Sequence, residues 1–128
     1  MYDLLDPADC FPGADAAALA EVEAAIAVNL PADYRAFLAF SDGFNGEIAG
    51  PYLMLWSTAE LPSLATGYDM LPAGPNQLLI GSNGGPTAFA IVDGIYVSLP
   101  FDGGIAEMRI LAGDFEGFLA AIANGEGW

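Results

Sequence analysis

The sequence predicts an α+β fold: two N-terminal helices, a mainly antiparallel sheet of four to six strands, and a C-terminal helix packed on that sheet. Three observations predict it. Apolar residues recur at helical spacing in the first third of the chain and again near its end. Between them run short β-branched and aromatic segments. Two of those segments are joined by Asp93-Gly94, a two-residue signal for a type I′ hairpin, and Asp102-Gly103-Gly104 marks a second turn of this sort. No repeat, low-complexity linker or mid-chain shift in composition divides the 128 residues, so a single domain over 1–128 is expected.

Residues 1–13, with Pro7, Pro12 and Gly13, read as irregular. "ADAAALAEVEAAIAVNL" then favours helix, with Leu19, Val22, Ile26 and Leu30 on one side and Asp15 as N-cap. In "LPADYRAFLAFSDGFNG" Pro31 suits the first helical position, and Asp33 in the first turn favours the positive end of the helix dipole. Tyr34, Phe37, Leu38 and Ser41 share a face, and Gly43 is the expected left-handed stop. The residues after Gly43 read as a loop. "PYLMLWS" reads as a strand, with Tyr52 and Trp56 on its core face. Ser57 and Glu60 stand at capping-box spacing, and Pro62 keeps any helix there short. "QLLIGS", "TAFAIVD", "IYVSLPF" and "IAEMRILA" are successive strands. "GDFEGFLAAIANG" is the closing helix, with Asp114 as N-cap and Asn124-Gly125 as stop.

Seventeen acids face two arginines, with no lysine and no histidine, for a formal charge of −15. Such a field repels nucleic acid and anionic membrane and attracts cationic partners; solubility is the plain alternative. The acids are scattered, so they do not form a disordered acidic tail. Arg35 and Arg109 are expected to pair with nearby acids. No apolar run approaches the roughly 18 residues of a membrane span, and the acidic N-terminus lacks the basic start of a secretory signal. One cysteine, Cys10, excludes an internal disulfide framework, so a cytoplasmic protein is expected.

The missing histidine and lysine exclude Ser-His-Asp and Cys-His nucleophile pairs, a lysine Schiff base and a P-loop lysine. "GSNGGPT" (81–87) is rich in glycine but leads into a strand, so a tight strand–turn–strand corner is expected rather than a phosphate cradle. "DGFNGE" (42–47) has the start of a calcium loop, but Phe44 stands where an oxygen ligand is needed and the downstream glutamate is missing. A glycosidase-type carboxylate pair needs a spacing that singles out two acids, and none does. No cofactor, metal or catalytic residue is therefore assigned.

"EVEAAIAVNLPADYRAFLAFSDGFNG" resembles the opening of the SUKH superfamily, the Smi/Knr-type domain. The residues that carry the resemblance are Glu23, Leu30-Pro31, Tyr34, Phe37-Leu38, Gly43 and Asn45-Gly46. "YLMLWSTAEL", "LLIGSNGGPTAFAIVD" and "ILAGDFEGFLAAI" follow in the family's order, so the likeness spans about residues 19–123. The chain departs from the pattern in its longer "SDGFNG" and in Asp114, where a serine is frequent.

The resemblance implies a non-enzymatic protein-binding domain. Bacterial members are for the most part immunity proteins that neutralise toxins, many of them nucleases; eukaryotic relatives are regulatory hubs. The expected partner is thus a cationic toxin domain, with a general regulatory interaction module as the alternative and a carboxylate-based hydrolase a more distant one. Expected contacts are the loop acids Asp42, Glu47, Asp69, Asp93 and Asp102, with Phe44, Tyr52 and Tyr68 as aromatic anchors. A monomer or weak homodimer is expected, with Tyr52, Leu53 and Trp56 as a surface for pairing.

Overall fold

In the computed structural model, which describes residues 4–26, 30–64, 77–101 and 107–126, the strands form one six-stranded antiparallel meander in chain order. They are β1 (Phe44–Glu47), β2 (Tyr52–Leu55), β3 (Gln77–Ser82), β4 (Thr87–Val92), β5 (Ile95–Pro100) and β6 (Arg109–Ala112). Helices α1 (Ala16–Ile26) and α2 (Ala32–Phe40) precede the sheet, a short α3 (Leu61–Leu64) follows β2, and α4 (Phe115–Ala123) follows β6. The architecture is the α+β one expected from the sequence.

The three central strands carry no charged residue, and their interior positions are buried on both faces. An antiparallel sheet with one wet face would alternate apolar and polar residues; here both faces are covered, so "LLI", "AFAIV" and "YVSL" run on without alternation. Asp93 and Gly94 join β4 to β5 with φ of 51° and 81°, the two left-handed residues a type I′ turn demands. A bulge at Ile80 breaks the β3–β4 register between Leu79 and Gly81.

One face of the sheet holds an aromatic cluster. Phe115 stacks on Phe37 at 4.6 Å, while Phe118 meets Tyr96 at 5.3 Å and Phe89 edge-on at 5.4 Å. Phe37, Phe89, Tyr96 and Phe118 are wholly buried, and Phe115 nearly so. The Asp33 carboxylate of α2 ties its own helix to β5 and α4 within this cluster. It accepts from the Tyr96 hydroxyl at 3.0 Å and from the Phe115 amide of α4 at 2.6 Å. Asp33 therefore does more than meet its own helix dipole: it satisfies an amide that α4 leaves unpaired at its N-terminus. Asp114 caps the same helix through the Gly117 amide at 2.7 Å, as its position predicts.

Other local signals are realised. Asp15 caps α1 through the Ala18 amide at 2.8 Å. Ser57 and Glu60 form the reciprocal capping box, with the Ser57 amide donating to Glu60 Oε1 at 3.1 Å and the Glu60 amide to Ser57 Oγ at 3.3 Å. Glu23 links α1 to α2, accepting from the Leu30 amide at 3.0 Å and from Arg35 Nε at 3.2 Å.

Several expectations are corrected. The stretch after Gly43 is the edge strand β1, not a loop: Phe44, Gly46 and Ile48 point inward while Asn45 and Glu47 face out. Its glycines and asparagine hid that alternation. Pro31 is the N-cap of α2 rather than its first helical residue. Tyr52 and Trp56 do not share a strand face, because β2 ends at Leu55 and buries Leu53 and Leu55. Leu53 and Trp56 are core residues, so the expected apolar pairing surface is not present. The last strand covers Arg109–Ala112 rather than the whole of "IAEMRILA". The N-terminal stretch holds a 3₁₀ turn over Pro7–Asp9 and a bridge from Cys10 to Phe44 of β1.

Candidate protein-binding surface

The meander separates the expected contact residues. Because β2 pairs antiparallel with β3 through Met54 and Ser82, the β1–β2 hairpin lies at the sheet end that also carries the β3–β4 corner. Glu47 and Tyr52, paired across that hairpin, sit at this end; Glu47 is exposed and Tyr52 half-buried, its ring beside Gly84 of the corner. Asp93 is exposed in the β4–β5 turn at the opposite end. Tyr68, Asp69 and Asp102 lie outside the described residues.

Asp42 and Phe44 have structural tasks. Asp42 is half-buried and accepts from both the backbone amide and the hydroxyl of Thr58, at 2.7 and 2.9 Å, fastening the start of β1 to the segment after β2. Its charge also reaches the Tyr34 phenol. Burial, reinforced by Asp42, pushes that phenol well above the ordinary tyrosine range. Phe44 is wholly buried and cannot anchor a partner, which corrects the expectation for that residue. Its inward position follows from the β1 alternation that the sequence concealed.

The β3–β4 corner keeps its amides for itself. Gly84 N–H donates to Ser82 Oγ at 3.1 Å, and Gly85 and Thr87 N–H donate to Asn83 Oδ1 at 2.9 and 3.3 Å. A phosphate cradle needs such donors pointing outward, so the corner is a turn, as the sequence indicated. Two open grooves lie on the surface. One of about 370 Å³ between α1 and α3 holds Glu21 among Ala18, Val22 and Pro62. The other, of about 190 Å³, sets Glu107 beside Arg109, Ser98 and Thr87. Each has one acid, whereas acid–base hydrolysis of the glycosidase type needs two that converge. Among the described residues no three metal-ligating side chains come together, and no helix is long and apolar enough to cross a membrane.

The sequence reading missed a second set of residues at the β1 edge. Phe11 is 48 % exposed and Phe40 53 % exposed. The Phe11 amide donates to Ser41 Oγ at 3.0 Å, Ala14 N–H to Leu38 O at 2.8 Å and Asp42 N–H to Pro12 O at 3.2 Å. These bonds lay residues 11–14 along the end of α2 and bring the two phenylalanines to one neighbourhood. Their only signal was Phe40 falling off the Tyr34–Phe37–Leu38 face; Phe11 gave none, because its place depends on a contact 30 residues away.

The architecture and the order of its motifs agree with one family, and the family model described as SMI1 / KNR4 family (SUKH-1) matches residues 13–121. The chain belongs to the SMI1/KNR4 family. No curated protein sequence matches it. SUKH domains are, at family level, non-catalytic protein-interaction domains. Within this SUKH chain, the residues that gave the family its signature are mostly structural: Glu23 ties α1 to α2, and Tyr34, Phe37 and Leu38 are core.

Proposed function

We propose that the protein is an immunity protein that binds and neutralises a cognate bacterial toxin with a basic, nuclease-type surface. The observation that carries this reading is the formal charge of −15 on a protein-interaction domain with two arginines, one of them, Arg35, already paired with Glu23. A nuclease surface is basic because it holds phosphate, so an acidic inhibitor is complementary to it and is steered onto it. Such steering raises association rates by about one to three decades at low salt. Glu47 and Tyr52, with Tyr68, Asp69 and Asp102, are the proposed contacts, and Asp93, at the opposite end of the sheet, adds to the field. Asp42 supplies field rather than a direct contact, since Thr58 already occupies both of its oxygens.

The test is co-expression with the product of the adjacent gene. Rescue of growth from that toxin, with affinity that weakens between about 50 and 500 mM salt, is the expected result. A partner bound equally well at both salt concentrations would show that net charge is the wrong account. No neutralisation of any neighbouring gene product would overturn the immunity reading itself.

A further inference from the structure

The geometry points to the Phe11–Phe40 surface at the β1 edge as a docking site for arginine- or lysine-bearing segments of a protein partner. This inference deepens the reading above and rests on its cationic partner. Three observations meet here. First, two large aromatic side chains are about half exposed on two segments, 11–14 and 38–42, that hydrogen bonds hold side by side. Most exposed apolar side chains on a protein are isolated; a pair fixed on a rigid helix end offers an anchor with little ordering cost.

Second, the rim of that pair is acidic. Asp9 lies against Gly46 of β1, Glu47 is exposed on the same strand, and Asp42 follows α2 directly. Asp6 and Asp15 are exposed on either side of the 7–14 segment. Third, one arginine is at the opposite edge and the other, on α2, is already engaged. Arg109 stands on β6, the far edge of the sheet from β1, and Arg35 pairs with Glu23. Half-exposed phenyl rings on segments flanked by carboxylates match a guanidinium or ammonium group, which the ring quadrupole and the acids both attract. A second copy of this chain fits poorly, because it would set acids against acids.

The probe is N-acetylated octa-arginine amide, titrated into the ¹⁵N-labelled full chain at low salt. Amide shift changes concentrated at residues 11, 13 and 14 and at 39–42 are expected. Phe11→Ser with Phe40→Ser should weaken binding about tenfold, the loss of two exposed cation–π contacts. The control Ile110→Ser, at the β6 edge, should bind as the parent does. Because Phe40 is partly packed, the shift map of the unsubstituted protein decides independently of whether the double variant stays folded. Shifts spread evenly over the acids, or a folded double variant that binds unchanged, would overturn the proposal. Concentration-dependent shifts at the same residues without peptide would overturn it in favour of a second copy. Peptide binding here with no basic toxin neutralised would leave this surface standing and reject the immunity reading. Neutralisation with the peptide mapping elsewhere would do the reverse.

Discussion

Replacing Asp33 should cost more stability than any other surface-reaching acid. Its carboxylate is half-buried and also accepts from the neighbouring Tyr34 amide, but the residues of the two distant groups it satisfies are fully buried: Tyr96 is wholly buried and Phe115 is 1 % exposed. Asp33→Ala would leave the Tyr96 hydroxyl and the first amide of α4 without their acceptor. Each such orphan costs about 1–3 kcal/mol, so the pair gives about 2–6. Water can reach the Asp33 side, which favours the lower half of that range, about 2–4 kcal/mol. A domain of this size has about 5–15 kcal/mol in total, so the variant should remain folded but lose a large share. Asp33→Asn keeps an acceptor oxygen and should lose about half as much. Urea unfolding at pH 7, followed by the fluorescence of buried Trp56, measures both. The decisive measurement is a double-mutant cycle with Tyr96→Phe. Removing the hydroxyl removes one orphan, so the Asp33→Ala cost should shrink by about 1 kcal/mol or more in the Tyr96→Phe background. Strict additivity, or a loss below about 1 kcal/mol for Asp33→Ala, would refute the reasoning.

Tyr34→Phe should be neutral or stabilising by up to about 1 kcal/mol, because the Tyr34 hydroxyl is buried with no partner among the described residues; a large loss in Tm would show that it has one. Both Tyr34 and Tyr96 hold their phenols well above the ordinary value, by burial first and then by Asp42 and Asp33 respectively. The unfolded chain therefore releases these protons from about pH 10 while the native one retains them. Stability present below pH 10 should then fall as pH rises, by about 1.4 kcal/mol per unit for each tyrosine; Tyr96→Phe should halve the slope of an alkaline urea series. Gly81→Ala should be severely destabilising, by about 3 kcal/mol or more, because its Cβ would run into the Met54 carbonyl of β2. Gly94→Ala meets nothing and should cost only the left-handed backbone, about 1–2 kcal/mol. Equal Tm losses in the two glycine variants would contradict this distinction.

The parts of the fold that local chemistry decides could be read from the sequence. Asp15, Asp114 and the Ser57–Glu60 pair cap the helices they precede, and Asp93-Gly94 turns where a type I′ signal stands. Each depends on residues two to four apart. β1 was missed because Gly43, Asn45 and Gly46 look like turn residues, and only pairing with β2 makes their alternation meaningful. The fate of Asp42 and Asp33 was hidden for a related reason. Their partners, Thr58, Tyr96 and Phe115, are 16, 63 and 82 residues away, and no local pattern announces them. The surface residues suffered most, since Phe44 and Leu53 look as suited to an interface as Phe11 and Phe40 until burial separates them.

The distribution of charge follows from the same packing. A sheet buried on both faces admits no charged residue in β3, β4 or β5, so the carboxylates among the described residues are displaced to helices, turns and the sheet edges. The edges then differ, because a cation stands on only one of them. β6 carries Arg109, whereas β1 carries Glu47 and is flanked by Asp9 and Asp42. Charge reversal should therefore be position-dependent despite the uniform excess of acids. Glu47→Lys places a cation within a Debye length, about 10 Å at 0.1 M salt, of the β1-edge acids and should slow association with a basic partner. Asp93→Lys makes the same change in net charge at the far side of the meander. If stopped-flow association with such a partner slowed equally for both, total charge would govern the encounter; a larger effect at Glu47 requires that the β1 edge be the surface that meets it.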